Sequence, residues 1–131
     1  MVERRRGGRL VSLLLSIKGM RINLVNIYTP TYATERKNFF QSLDPFLFPN
    51  SRLVLAGDFN CRLLASKGHV GCADFALGDQ QSCGSSHPDE GHFLSIVRAH
   101  NLVALNTWSS KTGPTFRGVN GCSRIDFTFT R

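Results

Sequence analysis

The order of residue patterns predicts an α/β domain: a strand pair, a helix, a third strand, a second helix and closing strands. Three observations carry that expectation. Residues 9–17 and 20–28 read as two strands around the short join Lys18-Gly19. Arg36, Phe39, Phe40, Leu43 and Leu47 recur at three- and four-residue steps, which is the period of a helix. Leu53-Val54-Leu55-Ala56-Gly57 then runs apolar or small without a polar break, as a strand covered on both faces does.

Composition bounds the alternatives. A chain of 131 residues with 41% hydrophobic content and 10 Phe can bury a real core, as one domain or part of one. It has no apolar run of about 18 residues, so nothing in it reads as a membrane span. Residues 10–15 are apolar behind a basic start, but Ser12 and Ser16 interrupt them and Lys18 and Arg21 follow, which reads as a strand rather than a secretory leader. The net charge is +7, and Arg4, Arg5, Arg6, Arg9, Lys18 and Arg21 against Glu3 place +5 of it in the first 21 residues. Residues 1–8 are expected as a solvated basic tail ahead of a domain at 9–131. Such an end suits a polyanion such as nucleic acid, through phosphate neutralisation and counterion release.

Taken in order, the first two strands connect too briefly for a crossover, so they form an antiparallel hairpin. Ile22, Leu24 and Asn26 alternate with Asn23, Val25 and Ile27, so neither face is cleanly polar and both are at least partly covered. Pro30 ends the second strand just past Tyr28. Thr31 or Thr34 is expected to cap the helix, and Asp44-Pro45 to end it. Residues 61–86 are rich in Gly, Ser and Cys and read as a long surface loop. A second helix is expected from Pro88, capped by Ser86 or His87, with Phe93, Ile96, Val97 and His100 inward and Asn101 as its stop. Residues 102–105 read as a short strand, with Trp108 packed beneath the loop that follows. Ile125, Phe127 and Phe129 alternate with Arg124, Asp126 and Thr128, a half-buried strand.

Cys61, Cys72, Cys83 and Cys122 contain no CxxC pair. A zinc site drawn from His69-x-x-Cys72 and Cys83-x-x-x-His87 has irregular spacing, so the thiols read as reduced and the protein as intracellular.

Polar chemistry gathers at two strand ends. Asp58 and Asn60 emerge at the carboxyl end of the apolar strand, where open α/β sheets place ligands. A carboxylate two residues from an amide suits water activation beside a phosphate, and equally suits an Asx turn that only closes the strand. Asp126 lies on the polar face of the last strand, as a site carboxylate or as half of an edge salt bridge.

Asn26-Ile27-Tyr28-Thr29-Pro30, Gly57-Asp58-Phe59-Asn60, Thr115-Phe116 and Ser123-Arg124-Ile125-Asp126-Phe127, in that order, resemble the endonuclease/exonuclease/phosphatase superfamily. Within it the chain looks most like the endonuclease domain of LINE-type (non-LTR) retrotransposons, over about residues 9–130. The resemblance implies part of a four-layered α/β sandwich and in-line hydrolysis of DNA phosphodiesters with Mg²⁺ or Mn²⁺. By the same resemblance, Tyr28 reaches the scissile phosphate, Asp58 activates water beside the metal and Asn60 holds the phosphate or the attacking group. Asp126 orients a histidine. Thr115, Ser123 and Arg124 border the DNA-binding face. DNA is the implied partner, with no membrane and no obligate protein partner, and action on DNA implies the nucleus.

The chain departs from the pattern at both ends. The family's early asparagine and metal-binding glutamate have no counterpart before Arg9, and its closing Ser-Asp-His segment has none after Asp126. The expectation is the middle and later part of a domain, lacking the N-terminal strands and final histidine segment, with activity weak or lost. A non-catalytic nucleic-acid-binding remnant and a phosphatase acting on small phosphate esters are the other two classes.

Overall fold

The hairpin, helix and apolar strand expected from the sequence assemble into one mixed sheet. A computed structural model describes residues 1–61, 90–107, 115–119, 121–123 and 125–131. The strands are β1 (Val2–Arg6), β2 (Leu10–Ile17), β3 (Met20–Tyr28), β4 (Arg52–Asp58), β5 (Val103–Ala104), β6 (Phe116–Gly118), β7 (Gly121–Ser123) and β8 (Asp126–Thr130). The helices are α1 (Ala33–Gln41) and α2 (Glu90–Ala99). Six strands form a sheet in the order β1-β2-β3-β4-β8-β5, and β6 and β7 form a separate small hairpin.

Local chemistry sets the connections. Lys18 (φ 49°) and Gly19 (φ 81°) are both left-handed, a two-residue turn matched to the twist of β2 and β3. The β3–α1–β4 passage is a parallel crossover, and β8 returns antiparallel to β4. At the end of α2, Asn101 is left-handed (φ 51°) and the Leu102 amide donates to Val97 O at 2.8 Å, so the expected stop is a Schellman-type cap.

Among the described residues, one face of the sheet carries the buried side chains. Leu10, Val25, Ile27, Leu53, Leu55, Phe127 and Phe129 point towards the helices and are almost fully enclosed. Phe59 sits among them at 0% exposure, 4.7 Å from the Phe93 ring and 5.3 Å from Phe129, while Phe93 stacks 5.1 Å from Phe40. This aromatic cluster fastens α1 and α2 to the sheet. On the same side, Asn23 donates to Ser12 Oγ (2.9 Å), accepts from the Phe48 amide (3.1 Å), and Ser12 donates to Phe46 O (2.8 Å). Those bonds satisfy two buried polar side chains and tie the segment after α1 to the sheet. The other face carries Val11, Leu13, Leu24, Val54 and Ala56, none of them buried, so β4 is covered on one side rather than two.

Two expectations need correction. Residues 1–8 are exposed to solvent but are not a tail, because β1 pairs with β2 from Val2↔Leu14 to Arg6↔Leu10. Gly7 (φ 51°) and Gly8 (φ 67°) fold the chain back, and the Arg9 amide donates to Arg6 O at 2.9 Å. The arginine stems then cover aromatic surface, with Arg4 4.4 Å from the Phe48 ring centre and Arg6 5.4 Å from that of Phe39. Charge on an edge strand also discourages edge-to-edge pairing. Secondly, α1 is not capped by Thr31 or Thr34. Tyr32 holds the N-cap position without a side-chain bond, and Thr34 lies inside the helix. The carbonyls of Pro30 and Thr31 are instead satisfied by Arg36, at 3.0 and 2.7 Å. The 61–86 loop beyond Cys61, the cap of α2, Trp108 and the drawn zinc ligands lie outside the described residues.

Candidate active site

Strand register gathers the site. Tyr28 pairs with Asp58 across β3 and β4, and Asp58 pairs with Asp126 across β4 and β8. Register partners share a face, so the three side chains stand in one row on the open face, at the carboxyl end of β3 and β4. Asp58 follows the parity of Val54 and Ala56, whereas Phe59 turns back into the core. Burial of that ring fixes where its two polar neighbours leave the sheet.

Gly57 makes the row possible. Its φ of +140° is strained for a residue with a side chain, and a Cβ there would lie 1.9 Å from Ile27 O. Beyond it, the Asp58 carbonyl accepts from the Thr29 amide (2.9 Å) and Asn60 Nδ2 donates to Thr29 O (2.8 Å), which locks the ends of β3 and β4 together. Asn60 is left-handed (φ 44°) and its amide donates to Asp58 Oδ1 at 2.8 Å. The Asx turn is therefore present, and it orients the carboxylate. Asp58 Oδ2 and Asn60 Oδ1 engage no described residue.

Burial pushes the Asp58 carboxyl above the usual aspartate range, and the Asp126 charge adds to the rise. The Asn60 amide and the Arg36 guanidinium oppose it. Arg36 was visible in the sequence only as part of a helical stripe. It is 3% exposed, holds the Pro30–Thr31 turn and bears electrostatically on the site.

Asp126 is held through its backbone. Its amide and that of Ile125 both donate to Thr115 Oγ1 at 3.1 Å, and its carbonyl accepts from Asn106 Nδ2 at 3.0 Å. Asn106 Oδ1 also accepts from the Thr128 amide at 3.0 Å, so one side chain stands in for a neighbouring strand. Nothing in the sequence pattern marked Asn106 except the polar break after residue 105. Thr115, expected beside the DNA, thus uses its hydroxyl to position β8. Ser123 lies in β7 opposite Phe116, and Arg124 is outside the described residues.

A model of the endonuclease/exonuclease/phosphatase family matches residues 4–131. The chain belongs to that family. A 66-residue stretch is 38% identical to the transposon TX1 uncharacterized 149 kDa protein of Xenopus laevis, covering 48% of this chain and 5% of that protein. In fold, the chain is similar to the endonuclease domain of TRAS1, a telomere-specific non-LTR retrotransposon, with a TM-score of 0.57, 17% identity and coverage of 92% of this chain and 48% of that one. It is also similar to a family protein from Leptotrichia buccalis, at TM-score 0.52, 17% identity, and 92% and 40% coverage. The chain spans less than half the length of these solved relatives. Among the described residues, the six-stranded sheet with α1 and α2 on its buried face matches the α/β fold of the family.

Among the described residues, no three His, Cys, Asp or Glu side chains gather as a metal cluster, and no helix is long and apolar enough to cross a membrane. The donors present are hard oxygens: the Asp58 and Asp126 carboxylates and the Asn60 amide oxygen. That set fits Mg²⁺ or Mn²⁺, since Mg²⁺ usually takes one or two carboxylates and completes its shell with water and substrate phosphate. His92 and His100 sit on α2 and just after it, on the other side of the sheet, where His100 Nε2 lies 2.9 Å from Asp44 Oδ1.

Proposed function

We propose that the row Tyr28–Asp58–Asp126, with Asn60, is the phosphodiester site of a DNA endonuclease of the retrotransposon type, with low turnover in the chain as it stands. The register that aligns the three residues on one face carries this reading, because three distant sequence positions then serve one phosphate. Likeness to the TRAS1 endonuclease domain and to a transposon protein supports DNA as the substrate, and action on DNA would imply the nucleus.

Asp58 takes the proton of the attacking water, its carboxylate oriented by the Asn60 amide. The Asn60 amide orients the phosphate or the water, and the exposed Tyr28 ring reaches the phosphate from the adjacent strand. The water oxygen attacks phosphorus in line as the bond to the leaving oxygen breaks, and the leaving oxygen must gain a proton. Asp58, with Asp126 beside it, would hold Mg²⁺ or Mn²⁺, which supplies charge neutralisation at the phosphate when bound. Among the described residues no histidine reaches this face to protonate the leaving oxygen.

Supercoiled plasmid incubated with Mg²⁺ tests the reading. The expected result is salt-sensitive DNA retention that Mg²⁺ strengthens in the wild type and not in Asp58→Ala, with nicking at the level of buffer. Robust nicking abolished by Asp58→Ala would show a complete catalytic centre and overturn the low-turnover part. Failure to retain DNA, with turnover of a soluble phosphate ester, would replace the endonuclease by a phosphatase. The +7 charge and two-carboxylate site favour one alternative, a nucleic-acid-binding remnant, which the same assay identifies by retention without any metal effect.

A further inference from the structure

The row on the open face has a fourth member on the next strand outward. Arg9 lies opposite Tyr28 beyond the last paired position Leu10↔Ile27, and its carbonyl accepts from the Tyr28 amide at 2.8 Å. Its guanidinium sits 5.2 Å from the centre of the Tyr28 ring, which is itself 51% exposed. The tight turn at Gly7-Gly8 places Arg9 at this end of the sheet. Glu35 lines the adjoining cleft of about 280 Å³ without pairing to Arg9, so the Arg9 charge meets no carboxylate among the described residues.

We propose that Arg9 holds a backbone phosphate next to the scissile one, on a nucleic-acid strand that crosses the ends of β2, β3, β4 and β8. This rests on the reading of the Asp58 row as a phosphodiester site. At a strand spacing of about 4.8 Å, Arg9 lies roughly 5 Å from Tyr28 and roughly 10 Å from Asp58. The row therefore runs from a cation that meets no carboxylate among the described residues, through an aromatic ring, to two carboxylates. A phosphate fits at the Arg9 end and a cation-bound phosphate at the Asp58 end. Contact with the Tyr28 ring restrains the Arg9 side chain at this end of the row, where its planar fork can bind phosphate through two parallel N–H bonds. A substrate with two consecutive phosphates uses both ends, and a phosphate monoester uses only one. The arrangement thus selects a strand over a small ester.

The test measures binding of a short duplex DNA oligonucleotide to the full chain by fluorescence anisotropy across a salt series. Arg9→Gln should reduce the slope of log K against log salt by about 0.9, the value for one lost phosphate contact on duplex DNA. Arg9→Lys should keep the slope and weaken binding, because the charge remains and the fork is gone. Arg21→Gln, at the far end of β3, should change neither. An unchanged slope in folded Arg9→Gln, with the wild type binding normally, overturns the proposal alone. An equal slope loss in Arg21→Gln also overturns it, since the effect is then the general field. If Arg9→Gln does not fold, Arg9→Lys decides, and wild-type affinity in that variant overturns the proposal. A wild type that does not bind the duplex overturns it together with the functional reading.

Discussion

Asp58 and Asp126 face one another in direct register across β4 and β8, although 67 residues separate them along the chain. Two like charges on adjacent strands are unfavourable unless something uses them. The burial of Asp58 and the nearness of Asp126 both make its ionisation harder.

That relationship has a pH signature in metal-free buffer. The folded chain holds the Asp58 proton more tightly than the unfolded chain, so Asp58 contributes stability at low pH. The contribution disappears as pH rises from the ordinary carboxylate value through the raised one. Relative to Asp58→Asn, the wild type should lose stability over that window, and Asp126→Asn should narrow it from above. Urea unfolding of the three proteins across pH 3.5 to 7 checks this; a wild type that gains stability over Asp58→Asn as pH rises would contradict it.

Divalent cations should reverse the penalty. A cation bound only by the folded chain adds about 2.7 kcal/mol at a hundred-fold excess over its dissociation constant. Mg²⁺ or Mn²⁺ should therefore raise Tm for the wild type at neutral pH and leave Asp58→Asn nearly unmoved. Equal shifts in both proteins would place the cation elsewhere.

Gly57 sets the spacing of β3 and β4 at the site. Gly57→Ala would bring Cβ to 1.9 Å from the Ile27 carbonyl oxygen at a φ of +140°. Strain and overpacking together should cost roughly 2–5 kcal/mol, with loss of DNA retention if β3 and β4 part. Denaturant midpoints for Gly57→Ala against Gly91→Ala, where nothing lies within 4 Å of the new Cβ, separate this from a general glycine effect.

The open sheet face should be adhesive. Leu24 is 37% exposed and lies with Val11, Leu13, Val54 and Ala56 around a cleft of about 220 Å³. An apolar surface of this kind favours association. The purified chain should bind a hydrophobic dye or self-associate, and Leu24→Thr should reduce both. A dye-free monomer with a sharp thermal transition would mean that this face is satisfied as it is.

Much of the domain could be read from residues close in sequence. The β2–β3 hairpin, α1, β4 and the stop at Asn101 follow from periodicity, turn geometry and capping, each decided within about one element's length. The local geometry of Gly57-Asp58-Phe59-Asn60 was legible for the same reason, because a glycine at a close approach and an Asx turn are local events. Tertiary structure alone decided the rest. The Val2–Arg6 segment became an edge strand because a glycine turn returns it to β2 and Phe39 and Phe48 receive its arginines, neither of which shows in its own charged sequence. Arg36 and Asn106 acquired their roles from carbonyls and amides that only folding brings near, and the Thr115 hydroxyl clasps β8 in the same way. The alignment of Arg9, Tyr28, Asp58 and Asp126 is a matter of register. A shift of one residue would turn the last strand's carboxylate into the core, and the burial of Phe59, Phe127 and Phe129 on the opposite face is what forbids it.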